Sequence, residues 1–287
     1  MKLIYIQLSG GIGNQLFQVL SIYGLSRYHG RRLIISHAVD GNGPKHSHET
    51  EVGAVCGAHR LSPFVHKIIS RLLRAVHVVS PRLVELRTEK SFNLDQLLFG
   101  HSSAFLLYVS DSLLQDFRYF APNAPVGLIS YYNDLRRAMR KECAWFNTPG
   151  VNYIAVHVRR GDYVIEKQMT DLSDLRSCNY YKSAINSFKH ERAVFVFFSD
   201  DPDWIHSKVG DLGLTQPDFL VFDAKYSPLE TFTALSLFDK IISANSTFSL
   251  VAAYFSARYN EECSVVVPLM WKPSGERPYY PIKWKTF

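Results

Sequence analysis

The sequence predicts an α/β protein built on parallel sheets, and three observations carry that prediction. Segments patterned as strands and as helices alternate along nearly the whole chain, as in successive βαβ units. The strand segments, such as Leu3 to Leu8 and Val151 to Val158, are mostly apolar and rich in β-branched and aromatic residues. That composition suits strands covered by helices on both faces. A cluster of turn formers, Asn147-Thr148-Pro149-Gly150, interrupts the alternation near mid-chain. It divides the chain into an expected domain over residues 1–147 and a second over 148–287. With 287 residues and 47% hydrophobic content, the chain can bury two moderate cores.

The elements follow in order. Leu3 to Leu8 reads as a strand, Asn14 to about His29 as a helix ended by Gly30, and Leu33 to Ser36 as the next strand. Ala38 to Arg60 reads as a loop, and its His46, His48 and His59 lack the carboxylate–histidine spacing of a metal site. Ser62-Pro63 is an N-cap followed by a first-turn proline. Beyond it, Phe64, Val65, Ile68, Ile69, Leu72, Leu73 and Val76 form one helical face, with His66, Lys67, Arg71, Arg74 and His77 opposite. Such a stripe either faces a core or rests on a bilayer, and the pattern leaves both open. Ala104 to Val109 reads as a strand and Asp134 to Phe146 as a charged helix.

In the second half, Tyr180 to His190 reads as a helix, and Val194 to Phe198 as a strand ending in Ser199-Asp200-Asp201. Pro202 to Gly210 reads as a short helix, Phe219 to Phe222 as a strand and Pro228 to Phe238 as a helix. Lys240 to Ser243 is strand-like, a helix runs through Ala252 and Ala253, and Val265 to Val267 is the last strand. The tail from Trp271 to Phe287, rich in Lys, Pro and aromatics, is expected to pack back across the domains.

Composition narrows the function. No stretch reaches the roughly 18 consecutive apolar residues of a membrane span. The chain enters a strand directly from Met1-Lys2 without the pattern of a secretory signal. Cys56, Cys143, Cys178 and Cys263 are scattered, with neither a metal-ligand spacing nor a disulfide framework, so a reducing cytoplasm is expected. The net charge of +6 and pI near 9.0 are modestly basic. Common nucleic-acid motifs are absent, so no nucleic-acid partner is expected. A sugar-nucleotide diphosphate or an anionic membrane surface explains the balance as well.

Three segments carry the chemistry. Val156-His157-Val158-Arg159-Arg160-Gly161-Asp162-Tyr163 places two guanidiniums at the carboxyl end of a buried strand, where α/β proteins bind ligands. Planar bidentate donors there suit phosphate; paired surface arginines held by Asp162 are the plainer reading. Ser9-Gly10-Gly11-Ile12-Gly13-Asn14-Gln15-Leu16 follows the first strand. Its glycines allow a tight turn and close approach to a ligand, although the third glycine and the downstream acid of a dinucleotide fingerprint are missing. Ser243-Ala244-Asn245-Ser246-Thr247-Phe248-Ser249 is a strand-to-helix junction that could receive an anion or cap the helix; the two roles are compatible.

Together, in this order and over nearly the whole chain, these segments resemble the α-1,2-fucosyltransferases (family 11 glycosyltransferases), bacterial type. They resemble the α-1,6- and protein O-fucosyltransferases more distantly. Leu250-Val251 stands where the family usually carries paired tryptophans. The resemblance implies a GT-B-like arrangement, two Rossmann-like domains with parallel sheets facing a central cleft. The N-terminal half would mainly bind acceptor, with Gly11, Gly13, Asn14 and Gln15 in a loop that meets donor or acceptor. The C-terminal half would bind GDP-fucose: Arg159 and Arg160 near the diphosphate, His157 close to the nucleotide, and Asn245, Ser246, Thr247 and Phe248 at the phosphate-binding junction. An acid ending the Val194–Phe198 strand, Asp200 or Asp201, would read guanine. Against this, Asp201-Pro202-Asp203 has the Asp-x-Asp form of metal-dependent transferases, while Pro202 makes Asp201 a helix cap.

The implied reaction is inverting transfer of fucose from GDP-β-L-fucose to the 2-hydroxyl of a galactose-terminated glycan, such as an O-antigen, free or lipid-linked. No metal or cofactor is expected. Asp162 is the candidate base, or it orients Arg159; Glu166 and a reaction without a base are the alternatives. A cytoplasmic enzyme, with peripheral contact at the inner face of an anionic membrane as a further expectation, completes the reading. Two other classes stay open: a nucleotide-dependent oxidoreductase using the glycine loop, and a noncatalytic glycan-binding module using the 16 Tyr and 19 Phe.

Overall fold

In the computed structural model the alternation becomes two parallel sheets. It describes residues 1–38, 50–88, 100–110, 114–120, 124–160, 178–189, 192–223, 225–269, 280–281 and 283–287. The chain falls into two compact units, Met1–Tyr132 and Asn133–Phe287.

The first unit opens with β1 (Leu3–Leu8), α1 (Ile12–Tyr28) and β2 (Arg32–Ala38), the first three elements the sequence predicts. Then come α2 (Thr50–Val55), β3 (His59–Leu61), α3 (Pro63–Val79), β4 (Val84–Arg87), β5 (Leu106–Val109) and α4 (Val126–Glu142). Among the described residues the sheet order is β3-β2-β1-β5-β4, and every pairing is parallel. The stretch from Ala38 to Arg60 is therefore not all loop. Val52 is fully buried in α2, and Gly53 lets that helix approach β2 so closely that a Cβ would lie 2.5 Å from His37 Nδ1. β3 is an edge strand of three residues, too short to display a period. β4 hides because half of it is charged. Arg87 is buried, with Nε 2.7 Å from Glu85 Oε1 and Nη2 donating to the Gly100 carbonyl at 2.8 Å.

α4 starts earlier than the charged run suggests, since Leu128 and Tyr132 are buried and extend its inner face N-terminally. The boundary between units falls within this helix, ahead of the turn cluster at Asn147–Gly150.

The second unit runs β6 (Asn152–Val158), α5 (Cys178–Asn186), β7 (Ala193–Ser199), α6 (Pro202–Lys208), β8 (Phe219–Val221) and α7 (Pro228–Leu235). It ends with β9 (Lys240–Ile242), α8 (Thr247–Tyr259), β10 (Ser264–Val267) and β11 (Lys285–Thr286). Its sheet order is β11-β10-β9-β6-β7-β8, again all parallel. Counted from β6 as the first strand, this is the 3-2-1-4-5-6 order of a Rossmann sheet, whose switch point lies between β6 and β9.

Ile154, Ala155, Val156, Phe195, Val196 and Phe197 are all buried, which accounts for the continuous apolar runs in β6 and β7. Leu250 and Val251 are fully buried in α8, so the aliphatic pair packs where the family has tryptophans. The tail adds β11 to the edge of this unit's own sheet, Val266 opposite Lys285, with Trp284 buried beneath. Among the described residues no helix is long and apolar enough to cross a membrane.

Candidate active site

The switch point of the second sheet gathers much of the chemistry singled out above. β6 and β7 run in register from Asn152 opposite Ala193 to Val158 opposite Ser199. The residues that follow therefore leave the two strands side by side: Arg159 and Arg160 from β6, Asp200 and Asp201 from β7. They pair in that order. Arg159 Nη1 lies 2.7 Å from Asp200 Oδ2, and Arg160 Nε lies 3.0 Å from Asp201 Oδ2. Asp200 Oδ1 also accepts from the Arg160 backbone N–H at 2.8 Å. Asp201 Oδ1 caps α6 by accepting from Trp204 N–H at 3.1 Å. The Arg160 guanidinium then lies over the Trp204 ring, 4.2 Å from its centroid. Hydrogen bonding to Arg160 holds the Asp201 carboxyl below its ordinary range. Both guanidiniums are thus fixed in orientation, each by a carboxylate from the neighbouring strand.

On the other side of β6 lies β9, with Ala155 opposite Ile241 and Val156 opposite Ile242. β9 leads through Ser243 and Ala244 into Asn245 and Ser246, both buried, and on to the N-terminus of α8. Ser246 is the N-cap by position, yet its side chain makes no capping hydrogen bond to the helix. The junction is instead braced from within, Ser243 Oγ donating to Ser249 Oγ at 2.8 Å and Ser249 Oγ to the Ser246 carbonyl at 3.2 Å.

His157 is buried between these elements. Its ring stacks on Phe248 in the first turn of α8, with centroids 5.4 Å apart and an interplanar angle of 27°. Burial, with the Arg159 charge adding to it, pushes the imidazole pKa down to about 3, so the ring is neutral near pH 7. Among the described residues its Nδ1 has no hydrogen-bond partner. A buried unpaired ring nitrogen costs about 1–3 kcal/mol unless a ligand group meets it.

In the first unit, the glycine loop connects β1 to α1. Gly10 has φ of 76°, and a Cβ there would lie 2.6 Å from Asn14 Nδ2. Gly11 is the N-cap in extended geometry, and a Cβ on it would meet nothing within 4 Å among the described residues. Gly13 is buried in the first turn of α1. Gln15 is also buried, donating to the Gly10 carbonyl at 2.9 Å, while Gln18 clamps Ser9 through its backbone N–H at 3.0 Å and its hydroxyl at 3.1 Å. Asn14 Oδ1 accepts from Gln115 at 3.0 Å. Gln15 thus supports the turn from inside, and the open space lies beside Gly11.

Asp162 and Glu166 lie outside the described residues, as do Gly161, Tyr163, His46 and His48. Of Asp201 and Asp203, the first is held by Arg160 and Trp204. Among the described residues no group of three His, Cys, Asp or Glu is arranged to hold a metal ion. The sequence reading missed the Arg–Asp pairing and the role of Trp204. The signal was present: a doubled arginine and a doubled aspartate end two strands of one sheet, and register brings like positions together.

Two Rossmann-like units on all-parallel sheets define the GT-B-like α/β class, as the sequence led us to expect. Residues 135–270 match the model of Glycosyl transferase family 11, which bears out the resemblance carried by the motifs, and the chain is a glycosyltransferase. The O-antigen biosynthesis glycosyltransferase WbnK of Escherichia coli is 25% identical over 302 residues, covering 93% of this chain and 94% of that protein. The alpha-1,2-colitosyltransferase of Escherichia coli is 29% identical over 105 residues, 36% of each chain. The crystal structure of selenomethionine fucosyltransferase NodZ from Bradyrhizobium aligns with a TM-score of 0.52 at 17% identity, covering 88% of this chain and 91% of that one. At that identity the likeness is one of fold.

Proposed function

We propose that the protein transfers fucose, with inversion, from GDP-β-L-fucose to the 2-hydroxyl of a terminal galactose in an O-antigen-type glycan. The observation that carries this reading is the pair of guanidiniums held by Asp200 and Asp201 at the carboxyl ends of β6 and β7, beside the switch point. Breaking the sugar–phosphate bond builds negative charge on the leaving β-phosphate oxygen. Donors already fixed in direction stabilise that charge without reorganising during the reaction. The N-terminus of α8, beside His157, adds backbone N–H groups and the positive end of the helix dipole. In this reading Arg159 and Arg160 meet the diphosphate, Asn245, Ser246, Thr247 and Phe248 line the junction, and His157 offers its unpaired Nδ1 to the nucleotide.

The acceptor oxygen attacks the anomeric carbon from the face opposite the departing phosphate, so a β-linked donor gives an α-linked product. The hydroxyl proton passes to Asp162 or Glu166, or leaves late without a dedicated base. Asp200 and Asp201 orient the arginines, and any reading of guanine uses their remaining acceptor capacity. The loop at Gly11, Gly13, Asn14 and Gln15 meets donor or acceptor. Charge stabilisation by fixed cations removes the need for a metal ion, so we propose a metal-independent enzyme working in the cytoplasm.

The partial similarity to an alpha-1,2-colitosyltransferase supports a second donor, a GDP-linked colitose, at the same site. The test is incubation of the purified chain with GDP-fucose or GDP-colitose and a panel of galactose-terminated glycans, with and without EDTA. An α-1,2-fucosylated product formed equally in EDTA is the expected result. Transfer from the colitosyl donor alone would replace the donor assignment. Loss in EDTA restored by Mn²⁺ would move the leaving-group role to a metal on Asp201 and Asp203. No transfer from any donor would overturn the reading.

A further inference from the structure

The helix α3 has a face that the transfer reaction does not use. Its apolar residues divide into two sets. Ile69, Leu73 and Val76 pack against the sheet around Tyr5, Val84 and Tyr108. The others point away: Phe64 is 73% exposed, Leu72 59% and Val79 85%, with Val65, Ile68 and Val78 exposed beside them. At helical spacing Phe64, Ile68, Leu72, Ala75 and Val79 form one continuous stripe. A core-facing helix turns such a stripe inward, yet none of the 17 residues of α3 is fully buried.

Charge decides what covers this face. From Val52 to Val84 the sequence contains Arg60, Lys67, Arg71, Arg74 and Arg82 and no Asp or Glu. Lys67 and Arg71 flank the stripe, and Arg82 follows its end; all three are exposed. A second copy of the chain would set one basic face against another, which like-charge repulsion disfavours. An anionic bilayer satisfies both features. Its headgroup–acyl boundary takes an apolar ridge, and its phosphates attract the flanking bases, each contributing about as much as a basic residue near an anionic surface does.

We propose that α3 docks the protein on an anionic lipid surface, apolar stripe inward and Lys67, Arg71 and Arg82 at the phosphates. This does not depend on the identity of the sugar donor. The experiment is co-sedimentation of the full chain with vesicles of phosphatidylcholine alone or mixed with phosphatidylglycerol, at low and high salt. Light scattering of the protein alone runs in parallel.

The expected result is binding to the mixed vesicles, weaker at high salt, and little binding to phosphatidylcholine. Phe64→Ser with Leu72→Ser, and separately Lys67→Glu with Arg71→Glu, each weaken that binding by at least about tenfold while leaving thermal melting and solution mass unchanged. These side chains are exposed, so the fold tolerates the changes. Absence of binding to mixed vesicles overturns the proposal, as does parental binding by both double variants. A fall in solution mass on replacing Phe64 and Leu72, with no change in vesicle binding, assigns the face to a second copy instead.

Discussion

Arg159 carries its charge on a fork that Asp200 holds from the neighbouring strand at 2.7 Å. Replacing it by lysine keeps the charge but loses the planar donor pair and its fixed direction. If Arg159 stabilises the leaving phosphate, Arg159→Lys lowers turnover about a hundredfold, roughly 3 kcal/mol of transition-state stabilisation. GDP affinity falls less, because the ground-state contact is partly kept. Near-parental turnover would reduce the residue to bulk positive charge. Asp200→Asn tests its partner: as an orienting group it follows Arg159→Lys in turnover, whereas a guanine reader shows mainly as weaker GDP binding by calorimetry. The sequence displayed the doubled arginine and doubled aspartate. It could not show their pairing, because that depends on β6 and β7 being neighbours in a register known only from the folded sheet.

Among elements, the β1–α1 turn separates two uses of glycine. Gly10 sits at φ of 76° with Asn14 Nδ2 2.6 Å from where a Cβ would lie. Gly10→Ala therefore strains the backbone and displaces Asn14, and a loss of about 1–3 kcal/mol in chemical denaturation is expected. Gly11 is extended and its Cβ position is open, so Gly11→Ala leaves stability within about 0.5 kcal/mol. If ligand approaches there, Gly11→Ala raises KM for acceptor or donor in a stable protein. An unchanged KM would make both glycines parts of a turn only.

Element type was legible where burial was two-sided or a cap was explicit. β6 and β7 show continuous apolar runs, α6 and α7 begin with proline at the first turn, and Ser227 with Glu230 completes a capping box. β4 and β3 were not legible. One spends half its length on the Glu85–Arg87 pair, and the other is an edge strand of three residues. The face of α3 was ambiguous for a similar reason: periodicity gives the width of an apolar stripe but not how far the helix is rotated on its sheet.

At the scale of the whole molecule, the buried imidazoles make stability depend on pH. Burial, and then the Arg159 charge, moves His157 from 6.5 to about 3. Burial, and then Arg60, lowers His37 as well. For a histidine depressed by folding, the unfolded chain binds the proton first, so unfolding takes up protons as pH falls. The His157 contribution is intact above pH 6.5 and is lost progressively down to about 3. Across that window its slope approaches about 1.4 kcal/mol per pH unit. The Asp201 carboxyl, lowered by Arg160, acts in the same direction, but only as pH drops below its ordinary value of 3.8. Urea midpoints should therefore fall between about pH 7 and 5, before carboxylates take part. His157→Phe keeps a ring against Phe248 but cannot titrate, so it should flatten that fall. His37→Phe should flatten what remains, whatever each change does to stability at pH 7. If the His157→Phe slope matches the parent between pH 6 and 5, the imidazole titrates normally in the folded protein, and its placement as a buried neutral ring beside Arg159 would have to be given up.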